Sequence, residues 1–163
     1  MEFSYYVYEN KNLNININRM PIWFNEVQVD GDESEGTITL HSQNEYDEVW
    51  GANAKMEITW EKKDRLDFFH YKEVQRSIDM YNAIKMVITK KEEDWIRSHE
   101  ITFWYGHRKK IIRRKFYQEN TIHGIFYCDI SGRLISLHTA IIQEYFENFK
   151  PYILESYKSF QCH

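Results

Sequence analysis

The segment "HGIFYCDISGRL", residues His123–Leu134, predicts a β-hairpin and with it the class of the fold. Asp129 at the first position and Gly132 at the fourth suit a type I turn followed by a left-handed glycine. The apolar runs "IFYC" and "RLISL" on either side predict its two strands. Because successive side chains of a strand point to opposite faces, His123 and Cys128 lie on opposite faces. The segment therefore predicts a structural hairpin rather than a set of ligands.

Period-two alternation of apolar and polar residues recurs on both sides of this hairpin and predicts further strands, for example "NLNINI", "KMEITW" and "HEITFWYG". Helical spacing over residues 64–81, with Asp64 as N-cap, predicts a central helix. A second apolar stripe predicts a closing helix that starts near Thr139 and contains Pro151. The order predicts one α+β domain over residues 1–163, an antiparallel sheet of about six to eight strands packed with one central and one C-terminal helix.

Two short motifs carry a resemblance to a known family. "MPIW" follows the opening hairpin, and "ILESYKSF" ends the last helix. Together with the order of the elements, they resemble the PsbP/Mog family over nearly the whole chain. The resemblance implies a PsbP/Mog-like sandwich. It also implies a non-enzymatic role, because members of this family act mainly by binding other proteins or assisting assembly.

Composition limits the class of protein. The chain has 163 residues, 42% of them hydrophobic, and is typical of a globular domain. No apolar run is long enough to span a membrane, and the start lacks the pattern of a signal peptide, so we expect a cytoplasmic location. In a reducing cytosol we expect Cys128 and Cys162 to be free thiols. Residues 1–60 carry eleven Asp and Glu against three Lys and Arg, whereas residues 61–163 carry fourteen against eighteen.

The most distinctive charged feature is "HRKKIIRRK", residues His107–Lys115. The pattern predicts a hairpin with "HRKK" as its turn and "IIRRKFY" as its second strand. Charge runs are commonly solvated surface, but clustered cations can also bind an acidic protein, a nucleic acid or another anionic surface. The candidate partner-binding residues are Arg108, Lys109, Lys110, Arg113, Arg114 and Lys115.

Metal and catalytic signals are weaker. His123, Cys128, His138, Cys162 and His163 are suitable metal ligands by type, but none shows the short paired spacing of a zinc site, so we expect no metal and no cofactor. Whether Cys128 meets Cys162 stays open. No nucleophile elbow, phosphate-binding loop or zinc-protease motif occurs.

We therefore predict a non-enzymatic protein-binding or assembly module whose partner is another protein. The first alternative is a nucleic-acid or anionic-surface binder that uses residues 107–115, with weak affinity because the whole chain is acidic. The second alternative is an enzyme that lacks a recognisable motif.

Overall fold

Two antiparallel β-sheets and two α-helices make up the part of the chain that the structure describes, residues 5–42, 54–112 and 114–163. The structure is a computed structural model. The strands are β1 (Tyr5–Asn10), β2 (Ile15–Pro21), β3 (Phe24–Gly31), β4 (Glu35–Ser42), β5 (Ala54–Lys62), β6 (Val87–Ile96), β7 (His99–Ile112), β8 (Lys115–Cys128), β9 (Arg133–Ile142) and β10 (Phe160–Gln161). The helices are α1 (His70–Ala83) and α2 (Gln143–Lys158), and a 3₁₀ turn spans Arg65–Asp67.

The strands form a seven-stranded sheet of order β3-β4-β5-β9-β8-β7-β6 and a three-stranded sheet of order β1-β2-β10. Each pair of neighbouring strands runs antiparallel. α1 lies between β5 and β6 in sequence, and α2 follows β9. The predicted α+β class is confirmed, with an antiparallel main sheet, one central helix and one C-terminal helix.

The main apolar core lies on one face of the seven-stranded sheet, beneath the three-stranded sheet and α2. Tyr157 of α2 is fully buried there and donates its hydroxyl to the carbonyl oxygen of Ile122 at 3.0 Å. α1 covers part of the opposite face, where Val74 belongs to a second buried cluster with Trp104. Both faces of the central strands are therefore shielded from water, as a layered α+β fold requires.

The central helix starts later than the sequence pattern predicts. The prediction was residues 64–81, but α1 begins at His70. Asp64 caps the 3₁₀ turn instead, since its carboxylate accepts a hydrogen bond from the backbone N–H of Leu66 at 3.0 Å. Phe69 has extended backbone angles and separates the turn from the helix.

The closing helix also starts later than predicted. The predicted start near Thr139 is wrong, because β9 continues to Ile142 and pairs with β5 on one side and β8 on the other. α2 begins at Gln143 and continues past Pro151 to Lys158. Neither α1 nor α2 is long and apolar enough to cross a lipid bilayer.

The hairpin that joins β8 to β9 has the predicted turn. Gly132 has a φ of 66°, and its N–H donates to the carbonyl oxygen of Cys128 at 2.8 Å. A left-handed backbone of this kind favours glycine, because a Cβ crowds the carbonyl there. The sequence therefore located this turn correctly.

The turn predicted at "HRKK" is wrong. β7 runs through these residues without a break and pairs with β8 from Ile101–Phe126 to Ile112–Lys115 in one constant register. Because Ile112 pairs with Lys115 in that register, β7 continues past all four predicted turn residues. Arg114 has a φ of 67° and takes the left-handed position of the turn.

Candidate functional site

The β7–β8 hairpin extends beyond its neighbours in the sheet. β6 pairs with β7 only as far as His107, and β9 pairs with β8 only as far as Glu119. Residues 108–112 and 114–118 therefore form a two-stranded ribbon, which we call the basic arm, and no other strand among the described residues pairs with it on either side. The five residues from Arg108 to Ile112 give it a length of roughly 17 Å at about 3.4 Å per residue.

Two cations of the basic arm are paired with one buried carboxylate at its base. The Nε of Arg108 lies 2.9 Å from Oε1 of Glu119, and the Nζ of Lys110 lies 2.7 Å from Oε2. The Glu119 side chain is fully buried. A buried carboxylate needs such partners, since its desolvation is otherwise unfavourable. Two of the six candidate residues therefore serve the fold of the arm.

Three further candidate cations, Lys109, Arg114 and Lys115, are exposed on the arm. Arg113, the sixth candidate, lies outside the described residues. The exposed cations are spread along the ribbon and around its tip rather than gathered on one face, because alternation separates Lys109 from Lys115.

An apolar pair lies among these cations. Ile111 and Phe116 face each other across the β7–β8 ladder, and they are 66% and 75% exposed. They share their face of the ribbon with Lys109, which pairs with Gln118. The charge run "HRKKIIRRK" indicated the cations in the sequence. The exposure of Ile111 and Phe116 on one face follows only from the register of the hairpin.

A groove of about 400 Å³ lies at the base of the arm. One side of it is formed by Ile84 and Lys85, which lie between α1 and β6, and by Val87, the first residue of β6. Residues 107–110 form the other side. Ile84 is 49% exposed and Val87 53%. The arm and the groove together present apolar side chains beside lysines, a combination suited to a partner with both acidic and apolar groups.

The opposite end of β7 and β8 carries a second cluster. Cys128, the last residue of β8, is bonded to Cys162, with their Cα atoms 6.5 Å apart. The expectation of two free thiols is therefore wrong, because the fold brings residues 34 positions apart into disulfide geometry. His99 and His163 complete the cluster, and the four ligand-type atoms lie within 4.8 Å of one another.

His99 was not among the ligand types considered in the sequence. Ile101 pairs with Phe126 in the β7–β8 ladder. Extending this antiparallel pairing by two residues, back along β7 and forward along β8, places His99 beside Cys128. Knowledge of the β7–β8 register would therefore have identified His99 as a candidate ligand.

The two other histidines considered as ligands lie elsewhere, on the face covered by α1. The Nδ1 atoms of His123 and His138 are 3.1 Å apart, and the ring of Tyr81 stacks on His138 with centroids 5.3 Å apart. Burial holds the pKa of His123 well below its usual value, with His138 as a further cause, and burial lowers the pKa of His138 to about 4. These neutral rings pack in the interior, separately from Cys128, as the alternation of the strand predicts.

Comparison with known proteins rests on structure, since no protein-family model and no curated sequence matches the chain. The solution structure of cyanobacterial PsbP (CyanoP) from Synechocystis sp. PCC 6803 is similar with a TM-score of 0.63 at 10% identity, over 100% of this chain and 95% of that one. The Ran-binding protein Mog1p of Saccharomyces cerevisiae gives 0.61 at 11% identity, over 99% and 96%. A mutant of Mog1 gives 0.60 at 10%, over 99% and 96%. The resemblance seen in the sequence is confirmed at the level of structure: the chain has the PsbP/Mog fold.

Proposed function

We propose that this chain is a protein-binding module that docks an acidic segment of another protein on the basic arm. The observation that carries the proposal is the exposed pair Ile111 and Phe116, presented with Lys109 on a ribbon that extends beyond the sheet. Large apolar side chains held side by side in water are typical of surfaces that become buried on binding. The role is one of binding and requires no chemical reaction.

The chemistry of the arm defines the partner. Phe116 offers the kind of aromatic anchor that carries much of the energy of protein interfaces. Lys109 shares the face of Phe116, whereas Arg114 lies at the turn and Lys115 on the opposite face. These cations favour a partner segment with Asp or Glu on both sides of an apolar residue. The groove lined by Lys85 and Val87 can continue the same contact towards the body of the protein.

The nucleic-acid alternative is less well supported by the arm. Arg108 and Lys110 are already engaged by Glu119, so fewer cations can neutralise phosphates than the sequence run suggests. Nucleic-acid affinity depends on the number of phosphates neutralised and falls steeply with salt. The net charge of −4 further opposes a polyanion.

The similarity to Mog1p supports the proposal in general terms, since that protein is Ran-binding and shares the fold at a TM-score of 0.61. At 11% identity the similarity does not identify the partner of this chain. The partner of this chain is therefore defined here by its chemistry alone.

The test is affinity capture from a nuclease-treated native lysate with the full chain and three double variants. Lys109→Glu with Lys115→Glu reverses charge on the arm, and Ile111→Ser with Phe116→Ser removes the apolar pair. The matched control is Lys11→Glu with Lys62→Glu, because both lysines are exposed and lie at the opposite end of the sheets.

We expect a stoichiometric acidic protein that the wild-type chain and the control retain and that both arm variants lose. A stoichiometric partner retained equally by the arm variants would overturn the proposal, as would the loss of binding after nuclease treatment. Because all substituted arm positions are exposed, we expect unfolding midpoints in urea close to that of the wild-type chain.

A further inference from the structure

Four metal-ligating side chains meet where β7 begins, β8 ends and the chain leaves β10. They are His99, Cys128, Cys162 and His163. We propose that, once the Cys128–Cys162 bond is reduced, these four residues bind one zinc ion. The inference is independent of the basic arm, which lies at the other end of the same hairpin.

The distances are close to those of a tetrahedral zinc site. With Zn–S near 2.3 Å and Zn–N near 2.0 Å, tetrahedral ligand atoms lie roughly 3.3–3.8 Å apart. The Nδ1 of His163 lies 3.3 Å from the sulfur of Cys162 and 3.6 Å from that of Cys128. The Nε2 of His99 lies 3.5 Å from the sulfur of Cys162. Three of the six ligand-to-ligand distances therefore already have the required length.

The donor set matches the chemistry and the burial of the site. Two thiolates balance the two positive charges of Zn²⁺, and two neutral imidazoles complete four ligands, so the occupied site has no net charge. This balance matters because Cys128, Cys162 and His99 are at most 5% exposed. A charged site of the same burial would be costly.

Neighbouring backbone groups hold the ligands in place. The buried guanidinium of Arg133 donates to the carbonyl oxygen of Cys162 at 3.0 Å, and the N–H of Gly132 donates to that of Cys128 at 2.8 Å. The ring of His99 also hydrogen-bonds to the backbone of Tyr127, which leaves its Nε2 directed at the sulfur. Such supporting contacts orient metal ligands and raise affinity.

The disulfide and the zinc site are alternative states of the same two sulfurs. A dithiol reductant transfers two electrons and two protons to the disulfide, which yields two cysteine thiols and one oxidised dithiol. Zinc then displaces the two thiol protons. His163 is exposed, and His99 lines a groove of about 410 Å³, so the reductant and the metal can reach the site from solvent.

The experiment uses the full chain without a polyhistidine tag, reduced with a dithiol that is then removed under anaerobic conditions. Zinc is titrated against a chromophoric chelator, and Co²⁺ is used in parallel because its absorption reports tetrahedral geometry and thiolate ligation. We expect one equivalent of zinc, about two protons released, and a tetrahedral cobalt spectrum with thiolate charge-transfer bands.

Variants identify the ligands. His99→Gln, and separately Cys128→Ala with Cys162→Ala, should weaken zinc binding by more than the roughly 10- to 100-fold that loss of a supporting residue causes. His107→Gln on the same strand is the control and should bind as the wild-type chain does, while the oxidised chain should bind no zinc at this site.

Three results would overturn the proposal: less than stoichiometric zinc on the reduced chain, a cobalt spectrum without thiolate bands, or equal affinity in the double cysteine variant. The cobalt spectrum is recorded on the wild-type chain, so this part of the test stands even if a variant fails to fold.

Discussion

Arg108 lies directly across the β7–β8 ladder from Glu119, and its Nε donates to the buried Oε1 of that residue at 2.9 Å. The pair marks the point beyond which, in the part of the chain that the structure describes, β6 and β9 no longer pair with the β7–β8 hairpin. An isolated two-stranded hairpin is only marginally stable in water. The ion pairs of Arg108 and Lys110 with Glu119 therefore stabilise the base of the arm.

The first prediction concerns this ion-pair cluster. Glu119→Gln should lower the free energy of unfolding by about 1–3 kcal/mol, because hydrogen bonds to charged groups are lost. Urea unfolding measures the change, and Glu9→Gln at an exposed position should change stability by less than about 0.5 kcal/mol. Adding Arg108→Gln to Glu119→Gln should cost less than the two single changes together. Strict additivity would show that the pair is not coupled.

The second prediction concerns the bond between Cys128 and Cys162. It closes a loop of 34 positions and joins the seven-stranded sheet to the segment after β10. Chain-entropy arguments give such a cross-link about 4 kcal/mol. We expect reduction in the presence of a metal chelator to lower the urea midpoint accordingly.

The variant Cys128→Ala with Cys162→Ala serves as the control, because reductant should leave its midpoint unchanged. Equal stability of the oxidised and reduced wild-type chain would contradict the prediction. If zinc binds the reduced chain, adding zinc should restore part of the lost stability, since a ligand that binds only the folded state stabilises it.

The third prediction is a loss of stability in mild acid. Burial lowers the pKa of His123 and that of His138, the latter from 6.5 to about 4. Below pH 6.5 the unfolded chain therefore binds protons that the folded chain does not, and stability falls as pH decreases towards 4. Between pH 6.5 and 5 each such histidine contributes a loss of up to about 2 kcal/mol.

Urea unfolding at pH 7, 6 and 5 measures this loss. The pKa values of His41, His70 and His99 are also lowered, with burial as the main cause, and they act in the same direction. His138→Gln should reduce the slope of stability against pH because one titrating group is removed. A stability that stays constant or rises as pH decreases through this window would contradict the prediction.

Sequence reasoning succeeded where a local residue type determines local geometry. Asp129 and Gly132 have the turn chemistry that their hairpin requires, and that turn was predicted. Arg114, which has the left-handed backbone of the turn, is a residue type without turn preference, so the turn was predicted too early in the sequence. Its position follows from the pairing of β7 with β8, which is a long-range property.

Long-range contacts account for the parts of the sites that the sequence did not reveal. β3 was not predicted, because it is an edge strand whose side chains are mostly exposed and lack apolar alternation. Nothing in the sequence distinguishes Glu119 from the other acidic residues, because its burial beside Arg108 depends on the fold. His99 joined the cysteine cluster only through the strand register.

The central claim, that the basic arm docks an acidic partner protein, is tested most directly by photocrosslinking from the arm itself. A benzophenone amino acid replaces Phe116 in one sample and Val7, another exposed apolar residue, on β1, in the control. Both chains are irradiated in native lysate at low and at high salt. We expect one dominant protein to be crosslinked from position 116 through an acidic segment, and the same protein not to be crosslinked from position 7. High salt should lower the yield of this crosslink, because it screens the charges of the arm and the partner. The same protein crosslinked equally from both positions, or no protein crosslinked from position 116, would contradict the account.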